Sequence, residues 1–166
     1  MEKTLIFKKL TSEVVENVEK YVKDWVKENP YGHVIIGCDS QMHGRRIKYS
    51  VAIVMHYMDK MGVGHGGHVL VADIWTKRKT GSPIDEMPSK LWAEAEYTLA
   101  AAQMVDGNDE TFKKRLMLHL DYSNNTKDKS NIMFASGIGY LQGMGYNAEG
   151  KPFAYVATHT ADALCR

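Results

Sequence analysis

The pattern of hydrophobic and polar positions along the chain predicts a mixed α/β fold. Behind Thr11 and Ser12, apolar residues recur at helical spacing until Asn29-Pro30, which ends the helix. Runs rich in β-branched and aromatic residues predict strands. The predicted helices cover residues 12–28, 88–105, 131–145 and a last segment, residues 158–165. The predicted strands cover residues 33–39, 47–58, 68–76, 115–121 and 152–157.

The order of these elements limits the possible architectures. Three strands in succession predict an antiparallel meander, and each later strand is followed by a helix. That order is typical of an α/β domain in which helices pack on the faces of a mixed sheet. The length suits one domain over residues 1–166, and no internal repeat or interdomain linker divides the chain.

Charged side chains end two of the predicted strands. Asp39 and Asp121 each follow a short apolar run. Either one alone could be a turn-forming residue at a strand end. Two such acids, together with Glu94 and Asp162 in predicted helices, indicate a carboxylate cluster of the kind that a metal-dependent nuclease uses.

The helix that begins at Pro88 carries two glutamates, and helical geometry distinguishes them. Each residue advances a helix by about 100°. Glu94 then lies at the border of the apolar face, whereas Glu96 points roughly opposite that face. We therefore expect Glu94 to lean over the end of the sheet toward Asp39 and Asp121. The alternative is an ordinary glutamate at the boundary of the apolar face.

Charge and composition exclude several functional classes. The formal net charge of +1 argues against a uniformly basic surface for nucleic acid and leaves room for a local basic patch. No apolar stretch is long enough to cross a bilayer, and the N-terminus lacks the apolar core of a signal peptide. We therefore expect a cytoplasmic protein with no membrane partner.

Several short motifs, taken in chain order, resemble ribonuclease H and its relatives. They are a strand with Asp39-Ser, followed by a glycine turn and two further antiparallel strands, a helix whose first turns carry Glu94, a strand that ends in Asp121 and a terminal helix that opens with Asp162. The chain after His159 looks like the closing helix of that family, in which an aspartate precedes small apolar residues. More narrowly, the chain is similar to the YkuK-like proteins, a bacterial and phage group within the ribonuclease H-like superfamily, in Gly37-Cys-Asp39-Ser-Gln, Leu91-Trp-Ala-Glu94, Leu120-Asp121-Tyr, Lys151-Pro-Phe-Ala and Ala161-Asp162. The resemblance covers roughly residues 34–166.

The resemblance implies a fold and a divalent-metal site. The fold would be a mixed five-stranded sheet flanked by helices, with residues 1–32 as an extra N-terminal helical extension. The first and fourth strands would be adjacent and parallel, so that Asp39 and Asp121 become neighbours. Packed carboxylates repel one another unless a cation neutralises them, and Mg²⁺ or Mn²⁺ suits such oxygen ligands. Asp39 would bridge two ions about 4 Å apart, Glu94 and Asp121 would flank one ion, and Asp162 would hold the other.

His159 lies one helical turn before Asp162, where the family often has a mobile histidine. The resemblance implies that it donates or accepts a proton at neutral pH. The alternative is a solvent-exposed histidine at the start of a helix.

The motifs leave the substrate open among RNA, RNA–DNA hybrid and structured DNA, because the superfamily is functionally broad. They also leave open whether catalysis is retained. One alternative is a nucleic-acid-binding or accessory protein of phage or bacterial type that keeps the fold without hydrolysis. Another is an interaction protein whose acids bind a single structural cation.

The expected topology places the basic residues at two opposite edges of the sheet, which correspond to the two ends of its strands. The first, third and fourth strands would be parallel, so the segments that follow them emerge at the edge nearest Asp39 and Asp121. These segments carry the candidate nucleic-acid-binding residues Arg45, Arg46, Lys77, Arg78, Lys79, Lys127 and Lys129. By contrast, Lys113-Lys-Arg115 enters the fourth strand from the far edge. The alternative is that all of these are solvated loop residues.

Overall fold

One mixed sheet with helices packed against it organises the chain. The structure, a computed structural model, describes residues 4–79, 83–123, 125, 127, 131–151, 160 and 163. The strands are β1 (Lys8–Lys9), β2 (His33–His43), β3 (Arg46–Met58), β4 (Gly64–Lys77), β5 (Leu116–Ser123) and β6 (Asn147–Lys151). The helices are α1 (Val18–Glu28), α2 (Pro83–Asp106), α3 (Glu110–Lys113) and α4 (Asn131–Gly143).

The strands lie in the order β1-β4-β3-β2-β5-β6. β2, β3 and β4 form the predicted antiparallel meander, whereas β5 pairs parallel with β2 and β6 pairs parallel with β5. The mixed sheet, and the adjacency of the first and fourth predicted strands, are therefore confirmed. The two-residue strand β1 adds a sixth strand beside β4.

The N-terminal helix begins later than predicted, at Val18 rather than at Ser12. Its N-cap is Asn17, whose side chain accepts a hydrogen bond of 2.8 Å from the Lys20 N–H. Ser12 has a φ of 70°, which no helix residue adopts. The residues before the cap instead fold back on themselves, and the Val15 N–H donates to the carbonyl of the fully buried Phe7.

Two turns also differ from their predicted places. Residues 64–67, which precede the predicted strand at residues 68–76, belong to β4. The turn closes earlier, where the Asp59 carboxylate accepts hydrogen bonds from the Met61 and Val63 N–H groups. β2 continues beyond Asp39 to a turn at Gly44, where φ is 58°. Asp39 therefore lies within a strand rather than at its end.

The second half of the described chain follows the prediction with shifted bounds. α2 begins at Pro83 and contains Pro88, and the Ser89 hydroxyl donates to the Glu86 carbonyl beside that proline. β6 covers residues 147–151, which were not predicted to form a strand, and the predicted strand at residues 152–157 lies outside the described residues. The short helix α3, capped by Asp109, was not predicted.

The main core lies on one face of the sheet, called here the helix face. α2 packs between α1 and α4 on this face, above fully buried side chains such as Ile36 and Leu120. α4 approaches β5 so closely that a Cβ at Gly137 would lie 2.5 Å from the Tyr122 ring. The opposite face, called here the second face, carries a smaller apolar cluster around Ala52. None of the helices in the described residues is long and apolar enough to cross a membrane.

Candidate metal centre

The parallel strands β2 and β5 each lead into an aspartate. Their ladder runs from the pair Val34 and Leu116 to the pair Cys38 and Leu120. Asp39 and Asp121 are the next residues on the two strands. Cys38 and Leu120 are both buried in the core of the helix face, so alternation places both aspartates on the second face. The fold thus brings two of the four predicted metal ligands to neighbouring positions.

Asp121 already has a positive charge beside it. Lys151 Nζ lies 2.7 Å from Asp121 Oδ1, which is buried and receives no hydrogen bond of good geometry from the residues that the structure describes. The Lys151 side chain is half-exposed at the end of β6, where it pairs with Ser123. The Lys151 ammonium group therefore balances the charge of the Asp121 carboxylate. A metal cation would compete with Lys151 for the same oxygen.

Glu94 reaches the sheet from α2 and is only 1% exposed. The Ser40 hydroxyl donates to its Oε1, and Lys90 Nζ lies 3.5 Å from the same oxygen. Lys90 also donates a hydrogen bond of 3.1 Å to the Ser40 carbonyl. Ser40 directly follows Asp39, so alternation puts its side chain on the helix face. Glu94 thus approaches the strand one residue from Asp39, but from the opposite face of the sheet.

The prediction that Glu94 rather than Glu96 faces the sheet is confirmed, and the role of Glu94 as a metal ligand stays a prediction. Glu94 is buried against the sheet, whereas Glu96 is exposed. One turn earlier in the helix, the Tyr122 hydroxyl donates to the Leu91 carbonyl. Side chains from β2 and β5 therefore hold α2 at Glu94 and in the turn before it.

Burial dominates the electrostatics of Glu94. Loss of solvent raises the pKa of its carboxyl from 4.5 to about 8, and the nearby negative charge of Asp39 adds to the rise. The Lys90 ammonium and the Ser40 hydroxyl oppose it but do not cancel it. Glu94 is therefore mostly protonated at neutral pH when no further cation is present.

The aspartate pair fits one hard cation. Mg²⁺ commonly binds through one or two carboxylates and takes its remaining ligands from water and phosphate oxygens. Asp39 and Asp121 offer such a pair, and the buried Oδ1 of Asp121 can donate to a cation. Within the described residues, however, no group of three or more His, Cys, Asp or Glu side chains could hold a metal ion. Glu94 cannot complete such a group with the two aspartates, because it approaches β2 from the opposite face of the sheet. The other predicted site residues, Asp162 and His159, lie outside the described residues.

Most of the predicted basic residues form one group at the tip of the β2–β3 hairpin and the end of β4. Arg46 pairs with Lys77 across the two strands, and the Arg78 N–H donates to the Arg45 carbonyl at 3.0 Å. Arg45, Arg46, Lys77 and Lys79 are exposed. We call these four exposed residues the basic border.

Arg78 has a different role from its neighbours. Its Nε donates to the buried Glu86 at 2.9 Å, and its Nη1 donates to the Gly44 carbonyl at 3.2 Å. The guanidinium group therefore ties the hairpin to α2, which restricts its use for phosphate. Lys127 is exposed in the turn after β5, and Lys129 lies outside the described residues.

The far edge of the sheet carries the contrasting basic residues, as the topology predicted. Arg115 donates to the carbonyls of Pro30 and Gly32 at 3.1 and 3.3 Å, just before β2 begins. Lys113 contacts Glu110 and the Met144 carbonyl. These residues lie at the end of β2 and β5 opposite to Asp39 and Asp121.

Three contributors to this site were missed by the sequence reasoning. Lys90 could have been found from its spacing, because residues four apart on a helix are neighbours and Lys90 precedes Glu94 by four. Ser40 could have been found from its position directly after Asp39, because successive side chains of a strand point to opposite faces and Ser40 therefore faces the helices. Lys151 gave no local signal, because its contact depends on the pairing of β5 with β6.

Comparison with known proteins identifies the family of this fold. A family model described as Ribonuclease H-like matches residues 13–166 of the chain. A search of curated proteins and a search of solved structures each found no match. The matched range includes α1 and every later element, and it leaves out β1. The narrower likeness to the YkuK-like proteins fits this family and stays a prediction.

Replacing Glu94 with glutamine should alter how stability depends on pH. Because the folded state keeps a proton that the unfolded state releases, the free energy of unfolding of the wild type should fall as pH rises from 4.5 to about 8. The slope from this group is at most about 1.4 kcal/mol per pH unit, and it vanishes below the unfolded pKa and above the folded one. Glutamine does not ionise, so Glu94→Gln should gain stability relative to wild type as pH rises.

Urea unfolding at about pH 5.5 and about pH 8.5, with chelator present, measures this difference. Glu96→Gln is the matched control, because Glu96 is exposed on the same helix. If both variants respond alike to pH, burial does not set the proton affinity of Glu94.

Proposed function

This chain belongs to the ribonuclease H-like family, and from that premise we propose that it is a divalent-metal-dependent nuclease that hydrolyses phosphodiester bonds of RNA, RNA–DNA hybrid or structured DNA. The observation that carries the proposal is the placement of Asp39 and Asp121 directly after the last pair of the β2–β5 ladder. Two carboxylates at adjacent strands supply a preformed oxygen site beside a basic border.

Asp39 and Asp121 would hold Mg²⁺ or Mn²⁺ on the second face. A bound divalent ion supplies Lewis-acid polarisation of a phosphate oxygen and a lowered pKa for an attacking water. The two aspartates would orient the phosphate by fixing the ion, because their strands are locked by the ladder beneath them. Lys151 would leave Asp121 or remain as a second positive charge near the phosphate.

In a two-metal mechanism, Glu94 would join Asp121 at one ion and Asp162 would hold the other. Glu94 would first have to leave its contacts with Ser40 and Lys90 on the helix face. Glu94 must lose its proton to become a ligand, so its ionisation would be coupled to metal binding. Lys90 and Ser40 hold its carboxyl close to β2 in the meantime. His159 would accept or donate the proton at the reacting phosphate.

The basic border supports a polyanion, such as nucleic acid, as the partner of this protein. Arg45, Arg46, Lys77 and Lys79 are exposed at the end of the hairpin toward which β2 runs from Asp39. Each phosphate that such residues neutralise releases counterions, which favours binding to nucleic acid. Positive charge beside an acidic centre also lets a polyanion approach the two aspartates.

A nucleic-acid-binding or accessory protein that lacks catalysis is the second candidate. The observation that favours it is the set of internal positive charges, since Lys151 contacts Asp121 and Lys90 contacts Glu94. Each ammonium group offsets part of the charge or burial cost of its carboxyl group without a metal ion. Under this alternative the basic border binds nucleic acid and the acids remain structural.

Asp39→Asn and Asp121→Asn should each lower hydrolysis in Mg²⁺ or Mn²⁺ by at least about a hundredfold, because each removes a metal ligand. The fold should persist, since loss of one charge relieves repulsion between the aspartates. Cleavage of labelled RNA, DNA, hybrid and branched substrates measures the effect.

Asp73→Asn is the matched control for these variants. Asp73 lies on the same face of the sheet, but it contacts Ser50 and Lys48 rather than the other acids. Cleavage that persists in Asp39→Asn, or that falls equally in Asp73→Asn, would contradict the assigned site.

Loss of the basic border should weaken binding and its dependence on salt. The double variant Lys77→Ala/Lys79→Ala removes two exposed cations and leaves Arg78 with Glu86. The slope of log affinity against log salt should become shallower by about 0.9 for each phosphate that is no longer neutralised. Affinity across a salt series, in Ca²⁺ to suppress cleavage, measures it.

The control for the basic border is Lys60→Ala/Lys114→Ala, which removes two exposed cations near the opposite edge. It has the same change in net charge. An equal change of slope in both double variants would show that binding follows net charge and not the proposed border.

A further inference from the structure

The second face carries rows of polar side chains that lead from Asp39 to the basic border. Directly paired residues of antiparallel strands share a face, and the Ser50 hydroxyl confirms it by donating to Asp73 at 2.6 Å. Lys48 Nζ lies 3.2 Å from the same carboxylate. The rows consist of Asp39, Ser50 and Asp73, then Lys48 and Trp75, then Arg46 and Lys77.

Trp75 is the large aromatic side chain in these rows, and it is 41% exposed. The Arg46 guanidinium carbon lies 4.6 Å from the centre of its ring, and the His43 ring lies 5.3 Å away. These contacts hold the indole in place at the surface. The row of Trp75 lies two strand positions, or about 7 Å, from the row of Asp39, and β4 lies two strands, or about 10 Å, from β2. The two residues are therefore roughly 12 Å apart on the same face, a distance that a few nucleotides of a strand span at about 3.4 Å each.

The surroundings of Trp75 match a nucleotide in charge as well as in shape. Trp75 and Thr76 line a groove together with Arg45, Arg46 and Lys77. Exposed arginine and lysine side chains suit the phosphates, and an indole ring suits the apolar face of a base. Neither group selects a base sequence, because every base has a face that can stack.

We propose that Trp75, supported by Arg46, is a stacking platform for an unpaired nucleobase close to the aspartate pair. This inference rests on the proposed nuclease function and narrows its substrate to single strands, loops or frayed ends. In a continuous duplex both faces of each base are already stacked, and extrusion of a base costs a few kcal/mol. Trp75 therefore favours strands that are already unpaired.

Two substitutions of Trp75 distinguish the effect of its aromatic face from the effect of its apolar volume. Trp75→Leu keeps an apolar side chain but removes the aromatic face, whereas Trp75→Phe keeps an aromatic face. Tyr31→Ala is the control, because Tyr31 is an exposed aromatic residue that precedes β2 at the far edge of the sheet. Affinity for a labelled single-stranded oligonucleotide and for the blunt duplex of the same sequence is measured in Ca²⁺ at fixed salt.

The wild type should bind the single strand more tightly than the duplex. Trp75→Leu should weaken single-strand binding by about 5- to 150-fold and leave duplex binding nearly unchanged. Trp75→Phe should keep most of the affinity, and Tyr31→Ala should keep all of it. The inference is overturned if Trp75→Leu weakens both forms equally, if it weakens neither, or if no single strand binds.

Cleavage in Mg²⁺ and Mn²⁺ is scored separately, so that the two proposals can fail independently. Wild-type cleavage that depends on Asp39 but not on Trp75 would preserve the nuclease proposal and overturn the stacking platform. Binding of single strands that depends on Trp75, without any cleavage, would preserve the platform and favour the non-catalytic alternative.

Discussion

The register of the parallel pair β2 and β5 is the constraint on which the whole site depends. With Cys38 opposite Leu120, both apolar side chains enter the core and the aspartates that follow them share the second face. A slip of one residue on either strand would turn its apolar set toward the second face and separate the acids. Burial of the apolar residues therefore fixes the positions of charges that repel one another. The hydrophobic core supplies the stability that offsets this repulsion.

Glu94 is the position at which local preference and function conflict most. A buried carboxyl loses the hydration that stabilises its charge, and here the charge of Asp39 adds to the penalty. Lys90 and Ser40 offset only part of it. A hydrophobic residue would suit this place in the core better. Positions that break the ordinary rules of burial are expected at functional sites, and this one lies one residue from the aspartate pair along β2.

Local patterns predicted the strands and the acids that follow them, whereas the adjacency of the first and fourth predicted strands was implied by the resemblance to ribonuclease H. Apolar runs before Asp39 and Asp121 marked the two strands, and the helical arc selected Glu94 over Glu96. The predicted start of α1 was wrong because Ser12 is a residue type that commonly caps helices, whereas the side chain that caps this helix is that of Asn17. β4 begins before the predicted bound at residue 68, because the turn that precedes it closes at Asp59.

Other features of the site depend on contacts that no local pattern encodes. The approach of Glu94 from the opposite face to Asp39 follows from packing of α2 on the sheet. The contact of Lys151 with Asp121 requires the β5–β6 pairing. The place of Trp75 near the acids requires the register of three strands. Propensity alone could not show which side chains these pairings bring together.

Paramagnetic broadening by Mn²⁺ tests the central claim most directly, because it locates a bound ion without any need for turnover. Mn²⁺ is titrated into ¹⁵N-labelled protein while the backbone amide resonances are followed. The account predicts that the amides of Asp39 and Asp121 and their strand neighbours broaden first, ahead of exposed acids such as Asp24 and Glu110. Mg²⁺ in excess should reverse the broadening. Broadening that begins at the exposed acids, or that spares both aspartates, would contradict a cation site at the end of the β2–β5 ladder.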